Sequence, residues 1–227
     1  MTDMGASSRK IVIATRNAGK KREFAQMLEP LGYSVQSLAD HPELPDIEET
    51  GSTFIENAGI KARAAAERLR VAVIADDSGL AVELLDGAPG VYSARYAGAG
   101  ATDGANIRKL LDELEERGAL DAPLGEVTLE SGSTAKLLSK AAFICAIVYY
   151  DPTRTDGSEA MIVSEGRLEG YIVDQPAGSG GFGYDPVFYV PQYGRTMAEL
   201  SSDEKNAISH RGQALRLLLE ELRSRTG

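Results

Sequence analysis

Two pairs of adjacent carboxylates are the residues of this sequence best suited to carry chemistry. Glu48 and Glu49 form one pair, and Asp76 and Asp77 form the other, directly after the hydrophobic run that ends at Ala75. Neighbouring carboxylates repel each other, so they are tolerated when they are solvated, paired with basic groups or bound to a cation. Magnesium satisfies this condition and also takes phosphate oxygens as ligands. The sequence therefore predicts either solvated turns or a magnesium site with Glu49, Asp76 and Asp77.

A second candidate site lies between a predicted strand and a predicted helix, in the string Thr15-Arg16-Asn17-Ala18-Gly19-Lys20. Exposed backbone N–H groups at the beginning of a helix favour a phosphate, and the lysine adds a positive charge. The string is not a P-loop, because Ala14 replaces the first glycine and Lys21 replaces the final Ser or Thr. It is therefore either another kind of phosphate site or a capped turn with a solvated lysine. Lys61, in the next predicted helix, is either a second cation or an ordinary surface lysine.

Glycines and hydrogen-bond donors in the C-terminal part form a third group. The string from Gly178 to Gly183 has the GxGxxG spelling of dinucleotide-binding folds, but Tyr184-Asp185-Pro186 follows where a helix must begin. The better interpretation is a flexible loop that places Phe182 flat against a nucleobase, with a core aromatic residue as the alternative. Near the last predicted helix, three side chains form a set of donors: Lys205, His210 and Arg211. A structural role is the alternative for His210.

Hydrophobic spacing predicts the elements that position these residues. Residues 11–15 are predicted as a strand, and the helix after it has one apolar face with Phe24, Met27, Leu28 and Leu31. Thr53 and Glu56 have the spacing of a capping box, which begins a second helix that runs to Arg70. Residues 71–75 are the next predicted strand. Residues 80–85 and 91–96 are predicted as extended segments, separated by turn residues.

The second half of the chain contains longer predicted strands. A third helix begins at Thr102 or Asp103 and ends near Gly118, with an apolar face of Ile107, Leu110, Leu111 and Leu114. Residues 119–139 are predicted as a surface insertion, either a long loop or a short hairpin. Residues 141–150 and 160–173 are predicted as strands, and Ser209 opens a last helix with Leu215, Leu218, Leu219 and Leu222. This order predicts an α/β fold with a mixed sheet.

Composition and charge limit the classes of function. The chain is 43% hydrophobic and 26% charged, which is typical of a globular domain. Its formal net charge of -10 opposes non-specific attraction to nucleic acid or anionic lipid, so a bound polyanion needs a local basic cluster. The N-terminus lacks an apolar signal-peptide centre, and no apolar run approaches the ~20 residues of a membrane helix.

The single cysteine bears on the location of the protein. Cys145 lies in an apolar run, is predicted as core and favours a reducing compartment. We therefore expect a cytoplasmic protein.

Residues 1–9 are predicted as a disordered tail, and residues 10–227 as a single catalytic domain.

Five strings resemble, in order, the successive motifs of the inosine triphosphate pyrophosphatase family, also called the Ham1 family. They are Phe54-Ile55-Glu56-Asn57-Ala58, Ala75-Asp76-Asp77-Ser78-Gly79-Leu80, Gly87-Ala88-Pro89-Gly90-Val91-Tyr92-Ser93-Ala94-Arg95-Tyr96, Gly180-Gly181-Phe182-Gly183-Tyr184-Asp185-Pro186 and Ile208-Ser209-His210-Arg211-Gly212. The resemblance runs from Ile11 to Arg223. Five motifs in one order are far more specific than any one of them.

This resemblance implies an elongated mixed sheet with flanking helices, two lobes around a central cleft, and a homodimer. It implies magnesium-dependent hydrolysis of ITP, dITP and XTP to the monophosphate and pyrophosphate. Residues 15–20 and Lys61 would hold the triphosphate, while Glu49 and Asp77 would serve the magnesium, with Asp77 as the base. The nucleotide pocket would be completed by Ser78, Phe182, Gly183, Tyr184, Asp185, Lys205, His210 and Arg211.

Several points stay open on the sequence. Arg16 stands where a small residue is expected, so it either contacts a phosphate or points outward, and the segment around residues 125–139 is longer than expected. The O6 atom of hypoxanthine and xanthine is an acceptor that suits the C-terminal donors, whereas adenine presents an amino donor at this position. Guanine also carries O6, so this argument does not exclude GTP. The alternatives are a Maf-like pyrophosphatase that acts on dTTP, UTP or methylated bases, and a sensor that binds nucleotide without cleaving it.

Overall fold

The structure, a computed structural model, describes residues 9–154 and 160–225. The strands are β1 (Arg9–Ile13), β2 (Tyr33–Ser37), β3 (Val73–Val82), β4 (Gly125–Thr128), β5 (Thr134–Tyr150), β6 (Met161–Val173), β7 (Phe188–Val190) and β8 (Arg195–Thr196). The helices are α1 (Ala18–Leu28), α2 (Phe54–Leu69), α3 (Asp103–Glu116), α4 (Ser202–Ile208) and α5 (His210–Ser224). The predicted α/β class is confirmed. The predicted tail lies outside the described residues except for Arg9, which begins β1.

The sheet is mixed, and its strand order is β2-β1-β3-β5-β6-β7-β8, with β4 paired to β5. The N-terminal strands are parallel: β1 pairs with β2 from Arg9↔Tyr33 onward, and with β3 through Val12↔Val73. The later pairs β4–β5, β6–β7 and β7–β8 are antiparallel. Parallel strands need a crossover connection, which α1 and α2 supply, whereas antiparallel strands can be joined by short turns.

The chain divides into two compact units, of which the first comprises Met1–Asp76, Ile147–Ser164 and Leu218–Gly227. Its described core combines Val12, Val73 and Val148 with the buried face of α2, formed by Ala58, Ala62, Ala65 and Ala66. These alanines recur at the spacing of one helix face, and their small side chains let the helix backbone lie close to its neighbours. The predicted capping box is confirmed, since Thr53 accepts from the Glu56 amide and Glu56 accepts from the Thr53 amide.

The second unit comprises Asp77–Ala146 and Glu165–Leu217. Its core packs the predicted apolar face of α3, including Ile107, Leu110 and Leu114, with strand residues such as Phe143 and Phe188. Thr102 caps α3, as predicted. Cys145 is fully buried, which confirms its assignment to the core. In the described part of both units, no helix has the length and apolar character needed to cross a membrane.

Three local predictions are wrong. The strand predicted at residues 71–75 does not end there, because β3 continues from Val73 through the two aspartates to Val82, which excludes the solvated-turn alternative for this pair. Residues 91–96 are not extended, because Gly90–Arg95 forms a 3-10 helix in which the Ser93 hydroxyl donates to the Gly90 carbonyl. Such local side-chain bonds compete with strand pairing. Leu31 was expected on the buried face of the first helix, but it follows α1 and is exposed.

The insertion at residues 119–139 takes the second of its two predicted forms, a short hairpin. β4 pairs antiparallel with the beginning of β5 from Gly125↔Leu137 to Thr128↔Thr134. The insertion is not wholly at the surface, because Leu129, Ala135 and Leu138 are buried in the core of the second unit. These apolar residues anchor the hairpin, which explains why a polar and glycine-rich segment is nevertheless ordered.

Candidate active site

The segment of residues 15–20 begins α1 through a network of local hydrogen bonds. Asn17 is the helix cap, and its side-chain oxygen accepts from the Lys20 amide at 3.0 Å. The buried Thr15 accepts from the Asn17 amide through its hydroxyl at 3.1 Å. Ala18 and the buried Gly19 form the first turn of the helix. Asn17 therefore fixes the first turn of α1 as its N-cap.

Lys20 lies against one of the sequence-predicted carboxylates. Its Nζ atom is 3.0 Å from Oδ2 of Asp76, whose side chain is fully buried, while the lysine side chain is 15% exposed. A buried carboxylate without a compensating charge would be strongly unfavourable. Lys20 thus neutralises Asp76 while keeping part of its side chain accessible.

Lys61 makes a similar pair from α2. Its Nζ atom lies 3.2 Å from Oε1 of Glu49, and the lysine side chain is 9% exposed. The surface alternative for Lys61 is therefore wrong. Arg68, two turns further along α2, is exposed.

The acidic loop that carries Glu49 is held by the beginning of α2. The side-chain oxygen of Asn57 accepts from the Gly51 amide at 2.8 Å. A Cβ atom added at Gly51 would lie 2.6 Å from the Cβ of Glu56 and 2.7 Å from Oδ1 of Asn57, so the close approach requires glycine. The sequence predicts no role for Asn57. The signal available was its place in the string Phe54-Ile55-Glu56-Asn57-Ala58.

The donor chemistry of the acidic residues fits magnesium, which prefers carboxylate oxygens. Glu49 and Asp76 belong to the first unit, and Asp77, which is buried, is the first residue of the second. Within residues 9–154 and 160–225, no cluster of three or more His, Cys, Asp or Glu side chains is already arranged to hold a metal ion. Two of these carboxylates, Asp76 and Glu49, each lie against a lysine.

In the second unit, a buried ion pair organises the glycine-rich loop. Lys205 on α4 lies 2.5 Å from Oδ2 of Asp185, and both side chains are almost completely buried. The same carboxylate oxygen accepts from the Phe182 amide at 2.8 Å. Gly181 has a φ of +72°, and a Cβ atom there would overlap Asp185, so only glycine fits this turn. Asp185 is therefore a structural centre of the loop.

Phe182 lies beside two cationic groups. The Nζ atom of Lys205 is 4.8 Å and the guanidinium carbon of Arg211 is 5.7 Å from the centre of its ring. Both distances are within the range of cation–π attraction. Arg211 is 1% exposed and donates to the Ser78 hydroxyl at 2.8 Å. The structure thus brings together residues that the sequence separates widely: Ser78, Phe182, Asp185, Lys205 and Arg211.

The last predicted donor, His210, is the first residue of α5 and is buried. Its ring stacks on Phe143 with centroids 4.9 Å apart. The backbone of α5 lies close to β6, because a Cβ atom at Gly166 would overlap the His210 carbonyl oxygen. Stacking and close backbone contact fix the direction in which His210 and Arg211 enter the site.

Two supporting residues of the loop were missed by the sequence analysis. Asp103 on α3 accepts from the Gly183 amide at 2.7 Å, and the Ser93 carbonyl accepts from the Tyr184 hydroxyl at 2.9 Å. Burial raises the pKa of the Tyr184 phenol, so it remains a neutral donor. The sequence indicated Asp103 only as a helix cap and Ser93 only as part of an extended string, because neither contact is local.

Comparison with known proteins identifies the family of this chain. The sequence profile of the Ham1 family matches residues 11–221. The chain is 48% identical over 214 residues to the dITP/XTP pyrophosphatase of Bacillus anthracis, covering 94% of this chain and 96% of that protein. It is 50% identical over 213 residues to the dITP/XTP pyrophosphatase of Geobacillus kaustophilus, covering 94% of each. A solved HAM1 protein from Coxiella burnetii matches with a TM-score of 0.75 at 42% identity, covering 95% of this chain and 99% of that one. The chain therefore belongs to the Ham1 family.

Proposed function

We propose that this protein is a nucleoside triphosphate pyrophosphohydrolase that converts ITP, dITP and XTP to the monophosphate and pyrophosphate. The observation that carries the proposal is the Lys20–Asp76 pair, in which a lysine of the first turn of α1 lies against a buried carboxylate. The names of relatives about half identical to this chain, dITP/XTP pyrophosphatase, support the same activity. The protein would remove deaminated purines from the nucleotide pool.

The triphosphate would lie at residues 15–20. The backbone N–H groups at the beginning of α1 and the hydroxyl of Thr15 are donors for phosphate oxygens, and Lys20 and Lys61 supply positive charge. Both lysines are paired with carboxylates in the structure, so their ammonium groups are already held near the acidic residues. We infer that they neutralise the charge that gathers on the pyrophosphate leaving group.

Glu49, Asp76 and Asp77 would hold a magnesium ion. When bound, magnesium would polarise the phosphate oxygens and offset their charge. Asp77 would position and deprotonate the water that attacks the α phosphorus. The bond from the α phosphorus to the bridging oxygen then breaks, and pyrophosphate leaves.

The base would be recognised in the second unit. Phe182 presents a partly exposed ring for stacking, and Gly183, Tyr184 and Asp185 hold the loop that carries it. Lys205, His210 and Arg211 would donate to the O6 atom of hypoxanthine or xanthine. The adenine amino group would meet these donors with another donor, and unpaired buried donors disfavour a ligand by up to about 10⁴-fold. Recognition of O6 does not explain how GTP would be excluded, because guanine also carries O6.

We further propose that the protein is a homodimer that acts in the cytoplasm on free nucleotides, without nucleic acid or membrane partners. The dimer follows from the family resemblance. A net charge of -10 and a single buried cysteine support the remaining points.

The test is to measure the first phosphate product released from ITP, XTP, GTP, dTTP and ATP, with and without magnesium. We expect pyrophosphate from ITP and XTP, little reaction with ATP, and no turnover without the metal. Orthophosphate as the first product would indicate γ-phosphate cleavage and overturn the proposal. A preference for dTTP would indicate a Maf-like enzyme, and tight binding without any product would indicate a nucleotide sensor.

A further inference from the structure

Arg16, whose role the sequence left open, binds neighbouring chain instead of standing free in solvent. Its Nη1 group donates to the Leu38 carbonyl at 2.9 Å, and its Nη2 group donates to the Leu44 carbonyl at 2.5 Å. Its Nε group donates to Oδ1 of Asp46 at 2.9 Å. All three nitrogens of the guanidinium are therefore committed to one stretch of chain, residues 38–46, which we call the clamp segment.

The clamp segment is fastened at two further points, one within the predicted phosphate-binding segment and one at the residue directly after it. The Leu38 amide donates to the Thr15 carbonyl at 3.1 Å, and Lys21 lies 2.7 Å from Asp40. Leu38 and Leu44 are buried in the core of the first unit. Both ends of the segment are thus anchored by apolar side chains. Arg16 binds carbonyl groups at both of these ends.

The position of the clamp segment in the chain makes this contact relevant to the site. Asp46 precedes Glu49 by three residues, and Glu49 lies 3.2 Å from Lys61. Arg16 itself lies four residues before Lys20, which pairs with Asp76. One side chain therefore connects the segment that carries Lys20 with the segment that leads into Glu49.

We propose that Arg16 is a positioning residue for metal and triphosphate binding, which holds Glu49 and Lys20 at a fixed separation by fastening the clamp segment. This inference rests on the proposed function. A planar guanidinium suits this task, because its donors point in fixed directions and can reach two carbonyls and one carboxylate at once. A lysine ammonium could replace only part of these bonds.

The experiment compares the full-length Arg16→Ala and Arg16→Lys variants with the wild type and with Arg22→Ala. Arg22 is an exposed residue of α1, so its variant controls for the loss of an arginine from the same helix region. Amide hydrogen exchange is measured over residues 15–20 and 38–50, without nucleotide. Initial rates with ITP and ATP are measured as functions of nucleotide and magnesium concentration.

For Arg16→Ala we expect faster exchange in both segments and a rise of about three- to tenfold in the magnesium concentration at half-maximal rate, as loss of charged hydrogen bonds implies. The ratio of ITP to ATP efficiency should stay constant, because the base site is untouched. Arg16→Lys should recover part of the effect, and Arg22→Ala should resemble the wild type.

A raised KM for ITP with normal exchange and normal magnesium dependence would overturn the proposal in favour of a direct phosphate contact. Unchanged behaviour of Arg16→Ala in both measurements would overturn it as well. The exchange measurement needs no turnover. If the wild type does not cleave ITP and Arg16→Ala still exchanges faster than the wild type, the proposed function is contradicted while the clamp is supported.

Discussion

At the level of single residues, the three lysines proposed for the site each lie against a carboxylate. Lys20 pairs with Asp76, Lys61 with Glu49, and Lys205 with Asp185, at 3.0, 3.2 and 2.5 Å. Their charges are therefore compensated before any nucleotide arrives. In the first unit, Asp76 and Glu49 are also proposed magnesium ligands, so these lysines would share their carboxylates with a bound ion. We expect nucleotide binding to depend on the metal for this reason.

The proposed base can be tested by removing its charge at constant size. Asp77→Asn should lower kcat for ITP by about 10²- to 10⁴-fold, the range for loss of a general base, while preserving the fold. The measurement is the initial rate in saturating magnesium, with circular dichroism and thermal unfolding as checks. Asp112→Asn, at an exposed position of α3, is the matched control. Near-normal turnover of Asp77→Asn would remove this residue from the mechanism.

The buried Lys205–Asp185 pair should dominate the stability of the base site. Lys205→Met leaves the Asp185 carboxylate buried beside an apolar side chain, and losing one partner of such a pair costs about 3–5 kcal/mol. Urea denaturation should show this loss. Adding Asp185→Asn to the variant should recover part of it, because the amide oxygen can still accept from the Phe182 amide. Equal stabilities of the wild type and Lys205→Met would contradict this account.

At the level of elements, the close contact between β6 and α5 sets the position of the C-terminal donors. Gly166→Ala would force the α5 backbone away, because the new Cβ would overlap the His210 carbonyl oxygen. We expect a loss of about 1–3 kcal/mol in stability, as for overpacking, together with a lower kcat/KM for ITP. Gly125→Ala, on β4 with open space around it, should change neither quantity. A fully active and stable Gly166→Ala would show that α5 does not depend on this contact.

The clamp segment should respond to acid through Asp40. The hydrogen bond from Lys21, followed by that from the Ser37 amide, lowers the Asp40 pKa from 3.8 to about 2. The folded pKa is below the ordinary value, so the stabilisation is present above about pH 4 and is lost as the pH falls towards 2. The melting temperature should therefore fall less between about pH 5 and about pH 2 in Asp40→Asn than in the wild type. Identical falls would indicate that Asp40 contributes nothing in this window.

At the level of the whole molecule, the net charge should favour the binding of a free nucleotide over that of a nucleic acid. A net charge of -10 repels an extended polyanion, whereas a triphosphate needs only the local lysines. We expect no saturable binding of a fluorescent DNA duplex at physiological salt, near 0.15 M, measured by anisotropy. Saturable binding there would show that a basic surface outweighs the net charge.

Much of the architecture could be predicted from the sequence, because the relevant signals act over short distances. The Thr53 and Glu56 capping box, the apolar face of α3 and the buried Cys145 each follow from residues within a few positions. The same holds for the α/β class, which follows from the order of strands and helices. The family is recognisable because its motifs are continuous strings in a fixed order.

Tertiary structure alone decided which side chains meet. Arg211 reaches Ser78 across 133 positions, and Arg16 reaches the Leu44 carbonyl across 28. The Asp76–Asp77 pair looked like a turn because adjacent carboxylates favour solvent. Hydrogen bonding to neighbouring strands and the lysine at Asp76 instead keep this pair within β3. Local propensity is a property of neighbouring residues, whereas ion pairs and strand continuity depend on partners that only folding brings within reach.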